Sequence, residues 1–480
     1  MDFARGFNVV ILTAGKGSRM KSDLPKIMHK VAGRTLFEHV LACIENVKVD
    51  KNIVVITSND ILDNFSEVLP KRDGLNYVIQ EERKGTGHAV MCGVNSQFWN
   101  SKNEYTGVFY GDVPFIESET IQKMFSLQKK YDLVILGFDC EDQSRAYGRL
   151  FTNKDLNTGD HGILYQIREF KDLMREKPRL CNSGIMVGKT EIFEKLLPEI
   201  KTNNKAKEYY LTDIVELANQ NGYKVGTYIC NEDEVIGINS RIELAHAEKA
   251  YQEKVSERHL INGATMINRD SVHFSYDTQI GKDVIIEPNV FFGTGVKIGD
   301  NCVIRAGSYL ENIEMKNGSD IGPYARTRGK NNVLGEKVHI GNFAEIKNST
   351  IGKGSKIGHF CYIGDTIMGD GVNFGAGSVV CNYDGKDKHQ TMIGKNCFIG
   401  SNSTIVAPCK IEDNSYIGAG SVITENVKSG TLALGRARQT EIKGWVEKRG
   451  LLNNKIKNNK EIKDSDKTDN KEVKNSKSKK

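Results

Sequence analysis

No apolar run in this sequence of 480 residues approaches the roughly 18 residues that a membrane span needs. Its start, MDFARGFNVVILTAG, reads into a strand and lacks the charged region, apolar stretch and small-residue cleavage site of a secretory signal. A cytoplasmic protein with no membrane insertion is therefore expected. Also absent is any CxxC pair or metal spacing among the ten cysteines, at 43, 92, 140, 181, 230, 302, 361, 381, 397 and 409. Disulfide frameworks belong to short secreted chains, so these thiols should be reduced and mostly buried.

A basic excess is missing too, once the end of the chain is set aside. The net charge is +6, but residues 451–480 hold ten lysines against five acids, which leaves about +1 for the other 450 residues. That near-neutral body argues against nucleic acid as a partner. Residues 447–480, rich in Lys and Asn and almost free of aromatics, are expected to form a disordered tail. The rest, at 39% hydrophobic and 27% charged overall, has globular composition and length enough for two or three domains.

Three segments precede the tail. Residues 1–240 alternate β-rich runs (Val9–Leu12, Ile53–Thr57, Val108–Tyr110, Leu133–Leu136) with helical patterns such as Leu36–Glu45 and Glu119–Lys130. This is the signature of a Rossmann-like α/β domain with a mainly parallel sheet, whose ligands sit at the carboxyl ends of the strands. Residues 241–262 contain no Gly or Pro and read as one connecting helix, with Ser240 as N-cap and Asn262-Gly263 as stop. From 263 to 446 the period changes. Ile393, Ile399, Ile405, Ile411, Ile417 and Ile423 recur every six residues, as do Ile280, Ile286, Phe292, Ile298 and Ile304. Gly follows the aliphatic residue at 281, 299, 322, 341, 352, 358, 364, 394, 400 and 418, where it should permit the corners. A six-residue period predicts a parallel β-helix of hexapeptides, three to a triangular coil. Such coils resemble the left-handed β-helix of the hexapeptide acyltransferases.

The sharpest motif is Leu12-Thr13-Ala14-Gly15-Lys16-Gly17-Ser18-Arg19-Met20 with Leu24-Pro25-Lys26, directly after the first strand. It is neither a Walker loop nor a dinucleotide fingerprint. Close-approaching backbone N–H groups with Lys and Arg beside them still suit phosphate. The string resembles the signature of sugar nucleotidyltransferases. Gln80, Gly85-Thr86-Gly87-His88-Ala89, Tyr110-Gly111-Asp112, Tyr147-Gly148-Arg149, Arg168-Glu169, Asn182-Ser183-Gly184 and Gly237-Ile238-Asn239 follow in order. Together they resemble the bacterial family of bifunctional N-acetylglucosamine-1-phosphate uridyltransferases / glucosamine-1-phosphate N-acetyltransferases, over about residues 7–445. The resemblance implies that Asp112 and Asn239 hold Mg²⁺. It implies UTP and sugar-phosphate contacts from Leu12, Thr13, Ala14, Gly15, Arg19, Lys26, Gln80, Gly85, Thr86, Tyr110, Gly111, Gly148, Glu169 and Asn182. Thr13 replaces a usual Ala, and Arg83 stands where the family commonly has Gln.

A β-helix by itself proves only stacking. Here, however, Pro323–Arg328, Asn342–Lys347, Gly358–Asp365 and Cys381–Gly385 interrupt the aliphatic ladder with polar groups. These segments resemble the acetyltransferase site of the same family. The resemblance makes His359 the general base, a role that suits an imidazole titrating near working pH. It gives Arg328, Lys347, Tyr362, Asn373 and Lys388 to glucosamine-1-phosphate. To acetyl-CoA it gives Ala376, Asn382, Tyr383, Ser401, Ala419 and Arg436. It further implies N-acetylglucosamine-1-phosphate as the uridyl acceptor and a homotrimer. At Arg328 the following loop reads one residue longer than the family pattern.

Overall fold

A computed structural model of the chain describes residues 6–15, 17–47, 50–142, 144–153, 159–173 and 178–451. Lys16 and the Lys/Asn-rich stretch from 452 onward lie outside the described residues.

Nine strands form the first sheet: β1 (Phe7–Leu12), β2 (Lys51–Thr57), β3 (Leu75–Ile79), β4 (Tyr105–Tyr110), β5 (Leu133–Asp139), β6 (Arg149–Thr152), β7 (Gly159–Arg168), β8 (Leu180–Lys189) and β9 (Val225–Cys230). Their order is β3-β2-β1-β4-β8-β5-β9-β7-β6. The half holding β3, β2, β1 and β4 is parallel, as the alternation predicts. The other half is mixed. The chain leaves β5, folds back through the antiparallel pair β6 and β7, and returns as β8, antiparallel to both β4 and β5. Val9, Val10, Ile11, Val134 and Ile135 are fully buried because apolar side chains on both sheet faces meet helices. Leu36–Asn46 and Ser118–Ser126 cover one face; Thr86–Val94, Thr190–Leu196 and Ile214–Gln220 cover the other. Thr35 starts the first helix with a capping box closed by Glu38.

The connecting helix runs Arg241–Ile261, with the Ser240 hydroxyl accepting from Glu243 N and Gly263 beyond its end at φ 98°. It is pinned at both sides. Glu248 Oε2 accepts from Ala32 N at 2.8 Å, and the Gln252 amide exchanges two hydrogen bonds with the Phe274 backbone, each 2.8 Å.

Residues 265–433 wind into three parallel sheets of ten, eight and eight strands. One coil reads Ile285–Ile286 on the first face, Phe291–Phe292 on the second and Val296–Ile298 on the third. The six-residue ladder lines the core: Ile399 and Ile405 are fully buried, and Ile393, Ile411, Ile417 and Ile423 nearly so. Steps between stacked partners vary with the inserts. Ile285 pairs with Val303, a step of 18, whereas Thr366 pairs with Thr391, a step of 25 that accommodates the Asn382–His389 loop.

The corner glycines carry a different constraint from the expected one. Of the ten that follow the aliphatic ladder, only Gly322 has a positive φ. The others are small because the next coil lies against them: a Cβ on Gly400 would stand 2.4 Å from Ala419 N, and one on Gly358 2.6 Å from Ala376 N. The left-handed corner positions fall instead to residues such as Asn289, Asn301, Asn402 and Asn414, at φ 55–60°. A short helix, Trp445–Lys448, crosses the expected start of the tail at 447.

Candidate active sites

Loops at the carboxyl ends of β1, β3 and β4 enclose a cavity of about 390 Å³. Its lining includes eleven of the expected residues: Leu12, Thr13, Ala14, Gly15, Lys26, Gln80, Gly85, Thr86, Tyr110, Asp112 and Asn239. Lys26 Nζ forms an ion pair with Asp112 Oδ2 and lies 3.0 Å from Asn239 Oδ1. The two oxygens converge because Ile238 N donates to Asp112 O at 3.0 Å, clipping 237–239 onto the end of β4. Asn239 N in turn donates to Glu243 Oε2 at 2.7 Å, at the first turn of the connecting helix. A carboxylate and an amide oxygen gathered on one cation are a donor set that fits Mg²⁺, which takes one or two protein oxygens and leaves room for phosphate and water.

Two of the three family departures, Thr13 and Arg83, line this cavity. Thr13 Oγ1 donates to Ile56 O at 2.8 Å, so its buried hydroxyl is satisfied. Arg83 lines the cavity, pairs with Asp60 Oδ2 at 3.1 Å, and keeps a buried Nε with no partner among the described residues. Gly111 sits behind the wall, where a Cβ would lie 2.8 Å from Thr13 Cγ2. Gly148, Glu169 and Asn182 form a neighbouring group outside the cavity lining. Asn182 N donates to Gly148 O at 2.8 Å, and Thr212 Oγ1 donates to Glu169 Oε1 at 3.1 Å. Burial raises the Glu169 carboxyl, and burial together with Glu169 pushes Asp213 up to about 6. The Tyr110 phenol is raised by burial and then by Glu169, which links this group to the cavity. Arg19 is exposed on the turn Ser18–Met20 and does not line the cavity. Glu208 also lines it, with no motif to announce it.

In the β-helix the expected residues fall into a column and a patch. The column runs down the corner between first and second faces, one residue per coil: Asn342, His359, Ala376, Ser401, Ala419. Backbone hydrogen bonds fix it, from Gly377 N to His359 O (2.7 Å), Asn402 N to Ala376 O (2.8 Å) and Gly420 N to Ser401 O (2.9 Å). Arg436 Nη1 donates to Ala419 O at 2.8 Å and closes its far end. At one coil per about 4.8 Å, His359 and Ala419 stand about 14 Å apart. The His359 side chain is exposed and, among the described residues, makes no hydrogen bond.

The patch lies on the second face, where Arg328, Lys347 and Gly364 stack in register. Gly364 leaves room that the Tyr362 hydroxyl and Asn382 Nδ2 occupy, each 2.6 Å from where a Cβ would be. Lys347, only 6% exposed, lies 3.8 Å from Asp365 Oδ2, which also accepts from Asn382 Nδ2. Contact with Lys388, followed by burial, lowers the Lys347 ammonium. Arg328 Nε donates to Glu345 Oε1 at 2.6 Å. Three cationic side chains with a phenol beside them are groups that can bind a phosphate monoester. Asn373 is not in the patch: it stacks between Lys356 and Phe398 on the first face, on the other side of the His359 corner. Tyr383 is exposed on the loop beyond Asn382.

Comparison with known proteins fits both halves. Residues 9–162 match the MobA-like NTP transferase domain, and 277–312, 348–382 and 390–425 match the bacterial transferase hexapeptide model of six repeats. A bifunctional protein GlmU from Clostridium botulinum (strain 657 / Type Ba4) is 36% identical over 92% of this chain and 98% of its own length. The chain belongs to the bifunctional GlmU family. GlmU proteins from Sphingopyxis alaskensis (40% identical) and Streptococcus agalactiae (39%) each align with 92% of this chain, covering 95% and 97% of their own lengths. As a GlmU family member the chain is an enzyme with two transferase activities, uridyl transfer by its α/β domain and acetyl transfer by its left-handed β-helix. None of the ten cysteines forms a disulfide, and seven are buried. No helix among the described residues is long and apolar enough to cross a membrane.

Proposed function

We propose that the β-helix acetylates glucosamine-1-phosphate from acetyl-CoA and that residues 1–240 then convert the N-acetylglucosamine-1-phosphate to UDP-N-acetylglucosamine. The observation that carries this reading is the convergence of Asp112 and Asn239, 127 positions apart, on Lys26 in the lining of a nucleotide-sized cavity. In the second reaction the phosphate oxygen of the sugar attacks the α-phosphorus of UTP, and the bond to the β-phosphate breaks to release pyrophosphate. Positioning and charge stabilisation carry such transfers. Asp112 and Asn239 would hold Mg²⁺, which when bound supplies positive charge to the triphosphate. Lys26 then turns its ammonium to phosphate oxygens. Glu169, Asn182 and Gly148 orient the sugar.

In the first reaction the substrate amine must be unprotonated to attack the thioester carbonyl. His359 takes its proton, the C–N bond forms, and the C–S bond breaks to release coenzyme A. Arg328, Lys347 and Lys388 grip the sugar phosphate, and Tyr362 and Asn373 approach from either side of the corner. Acetyl-CoA lies along Ala376, Ser401, Ala419 and Arg436, with Asn382 and Tyr383 beside its thioester end. A homotrimer is part of this reading. Tyr324, Phe343 and Phe360 stack beside the column while exposed by 58, 49 and 63%, an apolar strip suited to a second chain. The segment 241–262 connects the domains, residues 263–446 form the second, and the whole works in the cytoplasm. Incubation with UTP, Mg²⁺ and N-acetylglucosamine-1-phosphate, and separately with acetyl-CoA and glucosamine-1-phosphate, tests the proposal. Pyrophosphate release and coenzyme A release are the expected products; absence of either removes that half.

A further inference from the structure

We propose that His88, on the first turns of helix Thr86–Val94, is a positioning residue that sets which pyrimidine the cavity accepts. The inference rests on the nucleotide reading of that cavity and deepens it. Gln80 lines the cavity and is 4% exposed, so its amide orientation is decided by the protein around it. Its Nε2 lies 3.1 Å from Gly85 O and 3.1 Å from His88 Nδ1. A carbonyl oxygen can only accept, so Nε2 faces Gly85, and its second proton goes to His88 Nδ1. His88 therefore carries its own proton on Nε2, leaving Nδ1 as an acceptor. The Cys92 thiol also lies near Nδ1, 4.0 Å away.

The consequence falls on the remaining amide atom. With both Nε2 protons committed, the only group Gln80 can turn to a ligand is the acceptor Oε1. An acceptor there favours a base edge with a ring N–H, as uracil has at N3, over cytosine, whose N3 is itself an acceptor. Without His88, one amide proton is left without a buried partner, and the amide can rotate away from Gly85 and present Nε2 to the base. Discrimination between bases through such a group rests on the penalty for leaving a buried polar atom unpaired.

The test compares UTP with CTP in the full-length enzyme carrying His88→Leu, His88→Asn or Gln80→Leu. Acetyl transfer and Tm of the same preparations report folding. His88→Leu should raise KM for UTP and cut the UTP/CTP ratio of kcat/KM by about tenfold, the weight of one hydrogen bond, with kcat little changed. His88→Asn, whose Oδ1 can accept in place of Nδ1, should keep most of the ratio. Gln80→Leu should lose it, and adding His88→Leu to Gln80→Leu should cost nothing more. A ratio lost in Gln80→Leu but kept in His88→Leu overturns the positioning role. A ratio unchanged in Gln80→Leu instead overturns the placement of the base against this wall. Should His88→Leu fail to fold, the His88→Asn ratio decides: a tenfold loss there, with Tm intact, also overturns the proposal.

Discussion

His389 Nε2 lies 2.7 Å from Asp384 Oδ2, tying together the insertion that carries Lys388. The same carboxylate accepts from Lys386 N and Asp387 N through Oδ1, at 2.8 and 2.7 Å, so Asp384 organises the turn from within. His389 is the first cause of the fall in the Asp384 pKa, with the backbone amides next. Asp384→Ala should loosen Lys388 rather than remove it. KM for glucosamine-1-phosphate should rise by roughly three- to tenfold with kcat less affected, the mark of a binding contact misplaced. Steady-state kinetics of both reactions checks this, and uridyl transfer should not move.

Asp112→Ala should abolish UTP-dependent pyrophosphate release while leaving acetyl transfer within about twofold. The sites sit on separate cores, one around β1, β4 and β5 and one inside the coils, and well-separated sites behave independently. Removing Asp112 also releases Lys26 from its ion pair, leaving only its contact with Asn239, so the folded variant should bind UTP while failing to turn it over. Equal loss of both activities in a folded protein would refute this separation.

His359→Ala should lower kcat for acetyl transfer by about 10² to 10⁴, the range for a positioned general base. Because the amine then relies on bulk deprotonation, raising the pH should restore part of the rate. A variant that changes KM alone, with a flat pH response, would make His359 a binding residue.

Asp213→Asn gives a stability test with a definite sign. Burial and the nearby Glu169 raise the Asp213 pKa from 3.8 to about 6. The folded form thus binds more protons than the unfolded form between those pH values, and stability is lost as pH climbs through the window. An uncharged Asn escapes that loss. The variant should be more stable than wild type at pH 8, by a few degrees in Tm, with the gain shrinking toward pH 4. The comparison at both pH values in one buffer series measures it; a constant difference would contradict the assignment.

The ladder from Ile393 to Ile423 is legible in the sequence because each strand of two or three residues buries one aliphatic side chain per hexapeptide, and the other buried position, two residues earlier, takes only a small Thr, Cys or Ser. The parallel half of the first sheet is legible for a related reason: strands covered on both faces read as continuous apolar runs. The antiparallel return of β8 is not, since Leu180–Lys189 has the same composition whichever way it runs. The meeting of Asp112 with Asn239 depends on a backbone bond from Ile238, which no side-chain pattern encodes. Asn373 shows the converse limit. Its spacing from His359 is plain, but which face of the prism it occupies follows from how many residues each coil consumes.

The column from His359 to Ala419 also makes the prism a ruler. Each coil hydrogen-bonds only to its neighbours, so coils can be gained or lost without disturbing those beyond. The distance between the imidazole and Arg436 is then set by a whole number of coils, in increments of about 4.8 Å. If His359 is the base, as proposed, a carrier arm of the wrong length would present its acyl group one rung above or below it. On the proposed acetyl-CoA path, selection among acyl carriers would be written as an integer, by how many times the chain goes round between His359 and Arg436.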